Sequence, residues 1–308
     1  MKPFLKWAGG KGQLLPYIIP KIRQYITPQA RFHEPFVGGG AVFIKLNHKR
    51  VHINDLNREL INTYKVVKFE PGPLIEKLKE HAASHSETHY YRIRALDRDK
   101  GKFQKMTRIE RAARTIYLNK TCYNGLYRVN REGKFNTPIG YYENPNIVDE
   151  DNILAVSDYL RRNRVKITNL SFKSAVRNAV KGDFIYFDPP YDYSDKGFTT
   201  YTRQGFNHYD LDDLKECSDA LIHKGCYVLI SNNDTEYVRT LFDDNNYEID
   251  TLPATNHTVS YDIEEIPANR TINSKGDGRN KVQEVLIFGR KKQEIPTSKL
   301  SRQAAIHY

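Results

Sequence analysis

Short apolar runs alternate with stretches in which apolar residues recur every three or four positions, and this rhythm spans most of the chain. Residues 32–36 form a first apolar run that ends in glycines, and the pattern over residues 41–47 then predicts a helix. Val51-His52-Ile53 reads as a strand ending at Asn54-Asp55. A helical pattern over residues 57–68 follows, which Pro71-Gly72-Pro73 breaks. After about residue 149 the rhythm returns. Residues 165–168, 184–187, 226–230, 247–249 and 282–288 read as strands, with helical patterns near 154–161 and 211–223. Alternation of this kind predicts an α/β fold built on a doubly wound, mostly parallel sheet.

The middle of the chain has a different character. Helical patterns at residues 74–83 and 108–120 lead into Tyr123-Asn124-Gly125-Leu126-Tyr127-Arg128, a turn-rich section. Beyond it, Gly133 separates two short β-prone runs and predicts a hairpin. Residues 92–134 hold thirteen Lys or Arg against four Asp or Glu, so this segment reads as a basic, mainly helical insertion. The expected division is residues 1–58 plus 147–290 for the α/β domain, 59–146 for the insertion, and 291–308 for a basic tail. The segment 267–281, with Arg270, Lys275, Arg279 and Lys281, reads as a mobile loop.

Composition narrows the function classes. The 308 residues carry a formal net charge of +11, which draws polyanions and makes nucleic acid the favoured partner. Cys122, Cys217 and Cys226 do not stand at metal-ligand spacings, so neither a disulfide framework nor a zinc site is expected. The first eleven residues lack the apolar run of a secretion signal, and no stretch is long and apolar enough to span a bilayer. The expectation is a soluble cytoplasmic protein with no membrane partner and no bound metal.

Two motifs suggest chemistry. In Glu34-Pro35-Phe36-Val37-Gly38-Gly39-Gly40 a strand runs into three glycines, which let backbone approach a ligand at the sheet's carboxyl edge. Asp55, at the end of the next strand, suits the hydroxyls of a ribose. The second motif, Asp188-Pro189-Pro190-Tyr191, follows the apolar run 184–187. Its prolines fix the backbone and hold a carboxylate and carbonyls outward at the same edge. Oxygens placed there accept hydrogens from an exocyclic base amine, localise its lone pair and stabilise the positive charge that develops on it. Tyr191 offers a face on which an extruded base can stack. Gly9-Gly10-Lys11-Gly12 lacks P-loop spacing and is not followed by Ser or Thr, which disfavours nucleotide hydrolysis.

The chain resembles the Dam-like, D12-class DNA adenine-N6 methyltransferases. Phe4-Leu5-Lys6-Trp7-Ala8-Gly9-Gly10-Lys11 is similar to that family's N-terminal signature, and Phe36 to Gly40 to its cofactor motif. Ile53-Asn54-Asp55 is similar to its ribose-binding strand end, and Asp188 to Tyr191 to its catalytic tetrad. The segment 123–128 with Phe135-Asn136-Thr137-Pro138 resembles its recognition hairpin. The resemblance covers roughly residues 4 to 290 and implies the S-adenosylmethionine-dependent methyltransferase fold. It implies cofactor contacts for Trp7, Lys11, Phe36, Gly38, Gly40, Asp55 and Asp188, and places Asp188, Pro189 and Tyr191 around a flipped adenine. It further implies that Arg128 and Leu126 read a base pair, that Tyr123 and Asn124 fill the gap left by the flipped base, and that Lys6 contacts a guanine. Pro138 and Tyr142 match flanking recognition residues. The members most resembled act on GATC in double-stranded DNA.

An Arg on a protruding hairpin can make two parallel bonds to guanine O6 and N7, worth roughly 1–3 kcal/mol of discrimination. The rival use of Arg128 is a phosphate contact without sequence information. Rival reactions are transfer to cytosine N4, to RNA adenine or to a protein amide; a DNA-binding module without activity is a rival of another class. Cytosine C5 chemistry is disfavoured because none of the cysteines follows a proline. A monomer acting on one strand at a time is the expected form, and a separate cognate restriction endonuclease is left open as a partner.

Overall fold

Among the described residues, seven strands form one sheet in the order β3-β2-β1-β4-β5-β7-β6. They are β1 (Phe32–Glu34), β2 (Val51–Asn54), β3 (Lys166–Thr168), β4 (Phe184–Phe187), β5 (Tyr227–Asn233), β6 (Val259–Ala268) and β7 (Val282–Lys291). This is a computed structural model, and it describes residues 1–7, 9–191, 206–243, 259–268 and 282–292. The first five strands pair in parallel, whereas β7 lies antiparallel between β5 and β6. The helices are α1 (Leu15–Tyr25), α2 (Ala41–Leu46), α3 (Arg58–Phe69), α4 (Pro71–Ala83), α5 (Glu87–Ala95), α6 (Lys100–Lys105), α7 (Arg108–Thr121), α8 (Glu150–Arg162), α9 (Phe172–Val176), α10 (His208–His223) and α11 (Glu236–Phe242). Among the described residues, no helix is long and apolar enough to cross a membrane.

Side chains alternate across a strand, and β4 shows what that does here. Phe184 and Tyr186 join one core while Ile185 and Phe187 join the other. In β7 Leu286 and Phe288 face the first core, Val285 and Ile287 the second. Helices therefore cover both faces, which is why β4 reads as an unbroken apolar run. The first core takes Ile18 and Ile22 of α1, Phe43 of α2 and Tyr64 of α3. It runs on without interruption into Leu74 and Leu78 of α4, Ile116 and Tyr117 of α7, and Val156 of α8. The second core is closed by Leu211, Leu214 and Ile222 of α10 with Val238 and Phe242 of α11.

The basic segment leaves the sheet after β2 and returns at β3, carrying α3 to α8 between them. Its hairpin forms around Gly133 at φ +78°. Val129 bridges Phe135 across it, and the Asn130 side chain accepts from the backbone of Glu132 and Lys134.

Two expectations change, and others fall outside the described residues. Pro71-Gly72-Pro73 opens α4 besides ending α3, because a proline in the first turn forfeits no intrahelical bond. The strand expected at residues 247–249 lies outside the described residues, as does most of the loop expected at 267–281. Strand β6 was not anticipated: Tyr261-Asp262-Ile263-Glu264-Glu265 is polar because β6 is the edge of the sheet among the described residues, with pairing on one side.

Strand order reverses between β1 and β4, since the chain steps outward through β2 and β3 and then crosses to β4 and β5. The crevice beyond the carboxyl ends of β1 and β4 is the switch point at which open α/β sheets bind ligands. The glycine run follows β1, and Asp188 follows β4.

Candidate active site

The loop after β1 is shaped by its glycines. Gly40 caps α2 at φ +74°, where a Cβ would strike the ring of Phe43 and the hydroxyl of Tyr64. Gly38, at φ +46°, would bring a Cβ to 2.8 Å from Trp7 Cδ1, so Trp7 lies directly over the loop. Gly38 N donates to Asp55 Oδ2 at 3.1 Å and Asn57 N donates to Oδ1 at 2.8 Å. Each Asp55 oxygen thus has one backbone partner and one remaining lone pair. Burial pushes the Asp55 carboxyl up to about 6, against the pull of those two bonds. Beneath it the buried Glu34 accepts from Phe43 N at 3.0 Å, and burial raises its carboxyl well above the usual range. Phe36 packs against Phe172 at 5.5 Å and Phe187 at 6.2 Å between ring centroids, making an aromatic wall beside the glycines.

Across the crevice Asp188 is held by one oxygen. Its Oδ1 accepts from Ser231 Oγ at 2.9 Å and pairs with Lys11 Nζ at 2.9 Å. Ser231 is itself bonded to the Tyr186 hydroxyl at 2.9 Å, so the sheet interior orients the carboxylate. Among the described residues, Oδ2 has no such partner. Burial raises the Asp188 carboxyl above its ordinary range, with Lys11 and Ser231 pulling it back. Pro189 is buried. Tyr191 accepts from Lys11 and donates its hydroxyl to Glu284 Oε2 at 2.6 Å. Glu284 reaches this edge because β7 is antiparallel, with Glu284 in register with Asn233 at the end of β5.

The remaining predicted residues gather on one surface. Lys6 is exposed, its stem lies on Gly125, and its Nζ stands 5.5 Å from the Tyr142 ring centroid. Tyr123 N donates to Pro138 O, and Thr137 Oγ1 donates to Leu126 O at 2.6 Å. Tyr123, Asn124 and Pro138 are exposed. Arg128 Nε donates to Asn136 Oδ1 at 2.8 Å, which orients the guanidinium without using its outer nitrogens. Trp7 joins the two regions: it covers the glycine loop and stacks on Tyr127 at 4.8 Å.

A family model described as D12 class N6 adenine-specific DNA methyltransferase matches residues 7–255. The chain belongs to this family. It is an adenine-specific DNA methyltransferase, and its sheet is that of the S-adenosylmethionine-dependent fold. Among its relatives is a Type II methyltransferase of Lactococcus lactis subsp. cremoris, 41% identical over 93% of this chain and 95% of its own. A Type II methyltransferase of Methanocaldococcus jannaschii is 38% identical over 94% and 99%. The DNA adenine methylase of Vibrio cholerae serotype O1 is 31% identical over 93% and 95%.

Several residues that the structure brings to this crevice were not singled out from sequence. Glu284 had a signal, a carboxylate inside the apolar run of β7, which a buried strand carries only with a partner. Ser231 had only its place near the end of β5. Tyr127 and Phe172 had none, because aromatic residues at such spacing are ordinarily core.

Proposed function

We propose that this methyltransferase takes its methyl group from S-adenosylmethionine and places it on N6 of an adenine flipped out of GATC in duplex DNA. The observation that carries the reading is Asp188, anchored through Oδ1 with Oδ2 open, at the switch point opposite the Gly38–Asp55 pair. The residues present fit the cofactor. Side-chain-free backbone at Gly38 and Gly40, two free carboxylate lone pairs on Asp55 and the aromatic wall of Phe36 match an amino-acid tail, a ribose diol and an adenine ring. Trp7 lies over the glycine loop, and Lys11 stands across the crevice beside Asp188. When bound, S-adenosylmethionine supplies an electrophilic sulfonium methyl.

Asp188 Oδ2 and the carbonyls of the Asp-Pro-Pro turn accept the hydrogens of the adenine amine, which frees its lone pair for in-line attack. Tyr191 stacks on the base, and Pro189 keeps the turn rigid. The N6 proton leaves as the methyl arrives, and a carboxyl with a raised affinity for protons suits its acceptance. Lys6, Leu126 and Arg128 read the site, Tyr123 and Asn124 fill the vacated stack, and Pro138 and Tyr142 contact the flanks. Arg128, with Nε held by Asn136, offers its outer nitrogens to guanine O6 and N7.

In this reading residues 59–146 form the recognition domain inserted into the catalytic domain, and no metal takes part. A monomer modifies one strand at a time. The Type II names of the Lactococcus and Methanocaldococcus relatives support a cognate endonuclease as the functional partner.

The test is a pair of variants. Asp188→Ala is expected to abolish transfer and retain DNA binding, and full activity would sink the catalytic assignment. Arg128→Ala is expected to lose about 10- to 100-fold of discrimination at one base pair. Unchanged selectivity across single-substitution sites would remove its reading role.

A further inference from the structure

Glu284 has no part in the roles assigned above, yet it touches the side chain on which they turn. It is buried in a strand whose following residues, Val285 to Phe288, are all buried and apolar. A carboxylate in such surroundings is kept only with hydrogen-bonded partners. Its Oε2 accepts the Tyr191 hydroxyl at 2.6 Å and lies 3.7 Å from Lys11 Nζ. The Tyr191 hydroxyl is thereby saturated, accepting from Lys11 and donating to Glu284. A tyrosine ring anchored only at its Cβ can swing about its first side-chain bond. One that is also tied at the hydroxyl, behind two prolines, is held at one place in the crevice. Because β7 runs against its neighbours, its amino end places this anchor at the carboxyl edge, directly across from the turn.

We propose that Glu284 is a positioning residue for methyl transfer, fixing through the Tyr191 hydroxyl the place of the ring on which the target adenine stacks. The proposal rests on the reading of Asp188 and Tyr191 as the pair that holds the base.

The experiment compares Glu284→Met, Tyr191→Phe, the double variant and Tyr191→Ala. It measures steady-state methyl transfer and the emission of 2-aminopurine placed at the target adenine. Glu284→Met, which leaves no oxygen to accept the hydroxyl, is expected to lower kcat about 10- to 100-fold with KM for DNA within about threefold, as for loss of a positioning contact. Tyr191→Phe, which drops only the hydroxyl, is expected to show the same kind of loss. The double variant should fall no more than about threefold below the less active single variant, because the two changes break one bond. Emission should be brighter in Glu284→Met than in the parent complex, since a ring held in place quenches the stacked probe. Additive losses would overturn the proposal, as would wild-type kcat in Tyr191→Phe, a result that does not depend on how Glu284→Met folds. If Tyr191→Ala keeps wild-type kcat, the base-holding reading itself fails. If Tyr191→Ala is crippled while the other variants match wild type, only the role of Glu284 fails.

Discussion

In the proposed site, the Asp55 carboxylate makes S-adenosylmethionine binding depend on acidity. Burial raises its carboxyl to about 6, above the ordinary 3.8. Only the ionised form has lone pairs free for both ribose hydroxyls while keeping the bonds from Gly38 N and Asn57 N. The ionised fraction is about nine-tenths at pH 7 and about one-tenth at pH 5, and apparent affinity scales with the competent fraction. The Kd for S-adenosylmethionine should therefore rise about tenfold between pH 7 and pH 5. The sign follows from the direction of the shift: binding is full above about 6 and is lost as the pH falls through it. Asp55→Asn should bind about 10- to 100-fold more weakly at pH 7, the worth of charge-assisted hydrogen bonds, and should lose the dependence. Isothermal titration across this interval, without DNA, reads both effects. A flat profile in the wild type, or an equal slope in Asp55→Asn, would refute the reasoning.

Two further outcomes follow from the packing around the crevice. Ser231→Ala removes one anchor of Asp188 Oδ1 and leaves Lys11 as the other. It should cost about 3- to 10-fold in kcat, a typical buried hydrogen bond, and an unchanged kcat would contradict the orienting role. Gly40→Ala places a methyl group against Phe43 and Tyr64 at φ +74°. It should lower stability by about 1–3 kcal/mol in chemical denaturation, and a wild-type midpoint would contradict the strain argument.

The elements that were legible in the sequence are those whose signal is local. The run 184–187 and the glycines after residue 36 announce a buried strand and a tight turn in any context. Asp55 and Asp188 could be placed at one edge because parallel strands bring their carboxyl ends together. Glu284 could not, because its place in the site depends on β7 running antiparallel, and the apolar run 282–288 has no direction. The edge strand β6 escaped for a related reason: half-exposed and charged, it lacks the alternation of a strand with two neighbours. Helix α1 was hidden by Pro16 and Pro20, of which the first sits harmlessly in the opening turn. The stacking of Trp7 on Tyr127 unites residues more than a hundred positions apart, and only the fold brings them together.

The most direct test of the account is methyl transfer from labelled S-adenosylmethionine to a duplex bearing GATC, beside a scrambled duplex and the matching RNA. The account predicts label recovered as N6-methyladenine in the GATC duplex alone. Label appearing equally in the scrambled duplex would contradict the assigned site, and label in RNA alone, or in none of the three, would contradict the assigned reaction.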